Sequence, residues 1–437
     1  MKKLLKVGSL AFVAVMGLAG CKSGTASTSV ASTATSTSTS TVVSTSTEDL
    51  TSYNFTVKVG SPAKQVAKVV TNVANYVKGL GYTNVKVEAY NLEESDADSK
   101  VADWSTGPDV YAFAGDKLLN LVKQGALAKV SAANVTSMVT NMGQAVVDAA
   151  SLGDAGCYAY PFTTNTFFMY YNNEYVSAAQ AKSMETLIAA NKAASLKTNY
   201  SVKNSWYGIP FLSTFGAKWT ISLDDTGKAI GSIKADFNGA NGLKAAKALV
   251  GLIQNKDVVV TDDSGPVPTQ ANGIGSVMTG SWRDTDMKAG LTTHYAATNL
   301  PTITQDGTTA SCHNFLGYKM YGINPSAYAK DTVRAALDQK IAAYLVSKDA
   351  QVARYTDFAT APLDKTAVAD PTISTDQTVV AVANEVANSV AQTVVPSNCW
   401  SAYDALYTSI TGATETITDT MLQGWLDTFN AAIEKIA

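Results

Sequence analysis

Between Phe55 and Gly125 the apolar residues switch repeatedly between a period of two and a helical period, and this alternation constrains the fold more than any other feature. Phe55, Val57 and Val59 alternate with polar residues up to Gly60, the pattern of a strand. Val66, Val69, Val70, Val73, Tyr76, Val77 and Leu80 then recur at helical spacing, and Gly79 and Gly81 close that helix. Val85 and Val87 restart a strand. A polar, acidic stretch follows, and Asp109-Val110-Tyr111-Ala112-Phe113 reads as the next strand, entered through Gly107-Pro108. Leu118, Leu119, Leu121 and Val122 mark a helix that stops at Gly125. Strands alternating with helices predict an α/β fold with a parallel sheet covered on both faces, whose ligands lie beyond the carboxyl ends of the strands.

The remainder continues in mixed style. Leu243, Ala246, Leu249, Val250 and Ile253 form a helical stripe, and Ile274 to Met278 reads as a strand. Val333, Ala336, Leu337, Ile341, Tyr344 and Leu345 make another helix, and Leu422, Trp425, Leu426, Phe429, Ile433 and Ile436 a last one. About 390 residues follow position 47, more than one hydrophobic core usually organises, so two lobes are expected.

The first 47 residues stand apart. Lys2, Lys3 and Lys6 precede an uncharged run from Val7 to Gly20, long enough for a signal peptide and short for a membrane span. The run ends Leu18-Ala19-Gly20-Cys21, which resembles the bacterial lipobox and implies cleavage before a lipidated Cys21. Thr25 to Thr47 then holds 17 Ser or Thr in 23 residues and no charge, a composition that cannot bury enough apolar surface to fold. Residues 21–52 therefore read as a membrane tether, and the protein as extracytoplasmic.

Loss of residues 1–20 removes three of 33 basic residues and none of the 36 acidic ones, leaving a net charge of −6. That argues against nucleic acid as a partner. Cys157, Cys312 and Cys399 would remain beside Cys21, an odd set that permits one disulfide without saying which. With no CxxC and two histidines, His294 and His313, no metal site is expected, and both read as solvated or hydrogen-bonded side chains. No cofactor-binding or catalytic motif is present: there is no GxSxG, no phosphate loop and no HExxH. The carboxylates Glu93, Glu94, Asp96 and Asp98 crowd one polar segment and read as a solvated loop, since paired glycosidase carboxylates sit across a cleft. Aromatic residues, by contrast, recur in small polar contexts: Trp104, Trp206 with Tyr207, Trp282 after Gly280-Ser281, and Trp400 with Tyr403. Flat aromatic faces suit the apolar faces of sugar rings.

The order of several segments resembles the extracellular solute-binding proteins of ABC sugar importers, of the maltose/maltodextrin-binding type. These are Thr106 to Lys117, Tyr160-Pro161 through Tyr170 to Asn173, Met278 to Trp282, Asn299-Leu300-Pro301 with Phe315 to Tyr318, Ala361-Pro362-Leu363, and Pro396 to Tyr403. The likeness runs from about Asn54 to Ala437. It implies a two-lobed periplasmic-binding-protein fold, with residues 53–163 and 316–364 in one lobe and 164–315 and 365–437 in the other, joined by hinge crossings. It further implies a monomer that holds a carbohydrate between its lobes and passes it to a membrane permease. By position, Phe113, Asp116 and Lys117 would line the first lobe's face, Asn165 the hinge region, and Trp206, Tyr207, Trp282 and either Trp400 or Tyr403 the stacking surfaces. Arg283 and Asp284 are unusual beside Trp282, and their reading stays open between hydroxyl or acidic-sugar ligands and a surface ion pair. Alternatives to the sugar receptor are the same fold binding another solute, a secreted carbohydrate-active enzyme, or a surface adhesin.

Overall fold

The computed structural model describes residues 49–436 apart from 263, 264, 329, 330 and 393. The leader, Cys21 and the Ser/Thr stretch lie outside the described residues. Leu50–Ser52, assigned above to the tether, form a 3-10 turn capped by the Asp49 side chain, and Leu50 packs against the first core.

Strands β1 (Thr56–Ser61), β2 (Lys86–Asn91) and β3 (Val110–Ala114) pair in parallel, with β1 in the centre. On β1 the inward residues Val57 and Val59 are fully buried. Helix Val66–Gly79 covers them with Val66, Val69, Val73 and Val77, spaced three and four apart so that all fall on one side. Full burial of each such side chain contributes roughly 1.5–3 kcal/mol. Strand β4 (Tyr160–Asn165) belongs to the same sheet, while β5 (Phe167–Asn172), one residue further, belongs to another.

That second sheet holds β6 (Lys197–Tyr200), β9 (Val258–Val260), β10 (Ile274–Gly280) and β11 (Tyr295–Thr298) in the order β11-β5-β10-β6-β9. Two hairpins flank it, β7 (Trp219–Leu223) with β8 (Ile230–Ala235) and β12 (Thr302–Gln305) with β13 (Thr308–Ser311). Helices Ala240–Gln254, Cys399–Gly412 and Asp419–Ile433 pack on this side, so the second core gathers residues 167–315 with 399–433 and the first gathers 57–162 with 320–346.

Two lobes result, and strand β14 (Asn314–Ile323) joins them. Its early residues pair with β15 (Ser389–Ala391) in parallel, and its later ones pair antiparallel with β4 and β3. The first sheet is therefore mixed rather than all-parallel: β14 arrives from the other lobe instead of from a crossover helix, and so enters against the direction of β3. Asn314, fully buried, ties the crossing segments together. Its Nδ2 donates to the Phe167 carbonyl at 2.7 Å, and its Oδ1 accepts from the Ser389 hydroxyl.

Three further expectations change. Ile436 lies past the end of the last helix and is half exposed, since the stripe stops at Ile433. His313 is not solvated or hydrogen-bonded through Nδ1: that atom is buried without a partner among the described residues, and burial pushes the imidazole pKa down. Cys157, Cys312 and Cys399 are all buried free thiols, not one disulfide and one thiol. Cys157 sits in the first core and the other two in the second, where burial pushes the Cys312 thiol up to about 12. Chain expressed from residue 49 is expected to leave all three thiols unlabelled by iodoacetamide in its native state, and to label at three per chain in denaturant without reductant; mass spectrometry of the labelled protein distinguishes this from one thiol per chain.

Candidate functional site

Between the lobes lies an open cleft of about 440 Å³, within the usual range of ligand sites. Asp116, Lys117 and Ala114 line it from the end of β3 and the turn after it, beyond a carboxyl end as the alternation implies. Asn165 lines it from the end of β4. Asn204, Ser205, Trp206 and Tyr207 come from the start of helix Ser205–Phe211, whose Asn204 cap accepts from the Trp206 N–H at 2.9 Å. Trp282 follows β10, and Trp400 stands in the first turn of helix Cys399–Gly412.

The three tryptophans are held by packing on their rear sides. Trp206 meets Phe167 and Tyr207 edge-on at 4.9 Å each, and Trp400 meets Phe315 at 6.1 Å. Trp282 lies 5.8 Å from Trp206 and is 41% exposed, the most exposed large ring of the chain's described part. Its ring folds back over Gly280, where an added Cβ would fall 2.0 Å from a ring carbon. Glycine at 280 is what allows the indole to lie this close to the backbone.

Charge enters as pairs. Asp116 and Lys117 approach to 3.1 Å. Burial works against the Lys117 charge, but Asp116, Asp98 and Asp96 outweigh it and raise the lysine pKa. Lys319 on β14 reaches the Glu94 carboxylate at 2.6 Å, and its ammonium stands 5.9 Å from the Trp282 ring centre. Glu93, Glu94, Ser95, Lys319 and Gln392 all line the cleft, and none was singled out as a site residue from sequence. The segment 93–98 is thus not simply a solvated loop: Glu94 is 8% exposed because Lys319, 225 residues away, neutralises it.

Phe113, Tyr403 and Arg283 do not line the cleft. Every residue of β3 is buried, and Phe113 packs in the first core with Tyr111. Tyr403 is fully buried beneath Gly208, and its hydroxyl donates to the Val202 carbonyl at 2.6 Å, so it supports the helix that carries Trp206. Arg283 turns to Asp286 at 3.1 Å and to the Gly265 carbonyl at 3.2 Å. Asp284 is buried against Tyr295, Thr378 and Lys288. Trp104 leans on Tyr111 in the first lobe, away from the cleft.

Residues 71–381 match the family described as bacterial extracellular solute-binding proteins. The fold resembles a structure solved with acarbose (26% identity, TM-score 0.76, covering 87% of this chain and 99% of the other). It also resembles the maltodextrin-binding protein of L. casei BL23 without ligand (23%, 0.73, 88% and 100%). A third likeness is the maltose-binding periplasmic protein of Listeria monocytogenes in complex with maltose (19%, 0.64, 87% and 97%). No curated protein sequence matches the chain.

Two substitutions test this geometry. Gly280→Ala is expected to displace the Trp282 ring and shift the intrinsic fluorescence to the red, while moving the melting temperature little, because a side chain rather than backbone must yield. Lys319→Met should lower stability by about 3 kcal/mol by leaving Glu94 buried and unpaired, and adding Glu94→Gln should restore most of it; denaturant melts of the single and double variants read the difference.

Proposed function

The chain belongs to the bacterial extracellular solute-binding proteins, and from that premise we propose that it is the receptor of an ABC-type importer that captures an oligosaccharide between its lobes. The observation that carries this reading is the meeting of Trp206, Trp282 and Trp400 with the paired charges Asp116–Lys117 and Glu94–Lys319 around one cleft. Ring faces offer apolar, polarisable surface to pyranose faces, while carboxylate, ammonium and amide groups hydrogen-bond the hydroxyls at the ring edges. The structures solved with acarbose and with maltose support the choice of carbohydrate over other solutes. Asp116 accepts from hydroxyls, Lys117 donates to them, and Asn165 does both.

In this reading the lobes are residues 53–163 with 316–364 and 164–315 with 365–437. They close about the crossing strands, and only contacts that differ between open and closed forms shift that equilibrium. The closed receptor docks on membrane permease subunits. Lipidated Cys21 and the Ser/Thr stretch hold the monomeric receptor near them; among the described residues no helix is long and apolar enough to cross a membrane. The receptor binds and releases its sugar unaltered, as the family and its structural neighbours are binding proteins.

Calorimetry against maltose, maltotriose, maltotetraose and acarbose tests the proposal. At least one should bind with a micromolar constant, about −8 kcal/mol. Trp206→Ala and Trp282→Ala should each weaken that binding about tenfold or more. Unchanged affinity in both variants, or no binding by any of the four, overturns the reading.

A further inference from the structure

The hinge end of the cleft carries a feature that stacking and the charge pairs leave unused. On β14, Gly317 stands opposite Asn165 of β4, and Leu316 stands opposite Ala391 of β15. Gln392 continues the second pairing by one residue, its N–H donating to the Leu316 carbonyl at 3.0 Å. Asn165, Gly317 and Gln392 therefore form one row across three strands, and aligned residues of a row share a face. Lys319, two residues on from Gly317, projects from that face as well.

The centre of the row is a notch. A Cβ at Gly317 would fall 2.7 Å from Gln392 Oε1, so the glycine's missing side chain is the space that the glutamine amide occupies. Gln392 is 1% exposed, and its Oε1 is buried with no hydrogen-bond partner among the described residues. An unmatched buried acceptor is costly, and native interiors rarely keep one without use. Both amides of the row line the cleft.

We propose that Asn165, Gly317 and Gln392 form a hydrogen-bonding subsite at the hinge, where the Gln392 amide turns about its terminal bond so that Oε1 accepts a hydrogen bond from a hydroxyl on the innermost unit of the bound sugar. The inference rests on the carbohydrate reading above and adds a requirement to it: the ligand presents a hydroxyl at its buried end. Location gives the subsite a distinct role. Its strands carry the crossings between lobes, so its atoms move least when the lobes rotate. A contact made equally in open and closed forms raises affinity without shifting the balance between them. The subsite thus serves capture, whereas contacts that the opposite lobe adds only on closing serve closure.

The test uses whichever of maltose, maltotriose, maltotetraose or acarbose binds the wild type. Gln392→Met is expected to weaken binding about tenfold, the effect of one hydrogen bond to a buried acceptor. Its melting temperature without ligand should be equal or higher, because the unmatched acceptor is gone. At saturating sugar the variant should contract as much as the wild type in small-angle X-ray scattering. Among monodeoxy analogues of that sugar, one should bind the wild type about tenfold more weakly than the parent, yet bind Gln392→Met as well as the parent does. Gly317→Ala, which crowds the amide out of the notch, should weaken binding likewise and carries the test if Gln392→Met fails to fold. Unchanged affinity in a folded variant overturns the subsite and leaves the carbohydrate reading standing. Absence of binding by all four sugars overturns both.

Discussion

The register of β14 between β4, β3 and β15 is the constraint on which the cleft depends. One continuous strand spends its first residues beside β15 and its last beside β4 and β3. Because side chains alternate along a strand, a slip of one residue would turn Lys319 and the Gly317 notch away from the cleft together. Asn314 protects that register at the crossing. It is fully buried and bonded to both Phe167 and Ser389, so a slip would leave a buried amide unmatched as well as misplacing the floor of the site.

On that frame the polar groups of the cleft divide by what restrains them. Glu94 and Lys319 neutralise each other at low exposure, which fixes the lysine under Trp282 and removes a free positive charge from the cleft. Asp116 and Lys117 do the same on the same lobe, with Asp96 and Asp98 adding to the acidic surroundings. Arg283, the cation that would have favoured an acidic sugar, is engaged by Asp286 and the Gly265 carbonyl outside the lining. The cleft therefore presents paired charges and amides to a ligand, an arrangement suited to the many hydroxyls of a neutral sugar.

Local pattern made much of this readable in the sequence. The alternation from Phe55 to Gly125 gave the elements of that stretch to within a few residues, because period two and period 3.6 are local properties. Tryptophans in polar turns were visible for a similar reason, as were Asp116 and Lys117 at the end of a strand. What failed was whatever depended on distant chain. Phe113 was carried to the cleft by the resemblance alone, whereas the covered sheet that the alternation implies buries every residue of β3. Tyr403 shares a helix face with Trp400 but lies one turn deeper, where it meets Val202 instead of the cleft. Glu94 read as solvated because its counter-ion lies 225 residues away, and Gln392 stood in no motif at all. The three cysteines offered a pairing that is not made: Cys157 lies in one core, Cys312 and Cys399 in the other, and all three are free thiols.

Glycines supply the last step, since here they mark where something large must approach. Gly280 lets the Trp282 indole lie on the backbone, and Gly317 lets the Gln392 amide lie across β14. Each missing side chain sets the height of the group above it, one a ring on the second lobe and the other an amide at the hinge. At both places the close approach of a side chain depends on a backbone position that has none. A Cβ at either position would push the ring or the amide out into the cleft, so the shape of its lining depends on the two places where the chain has no side chain.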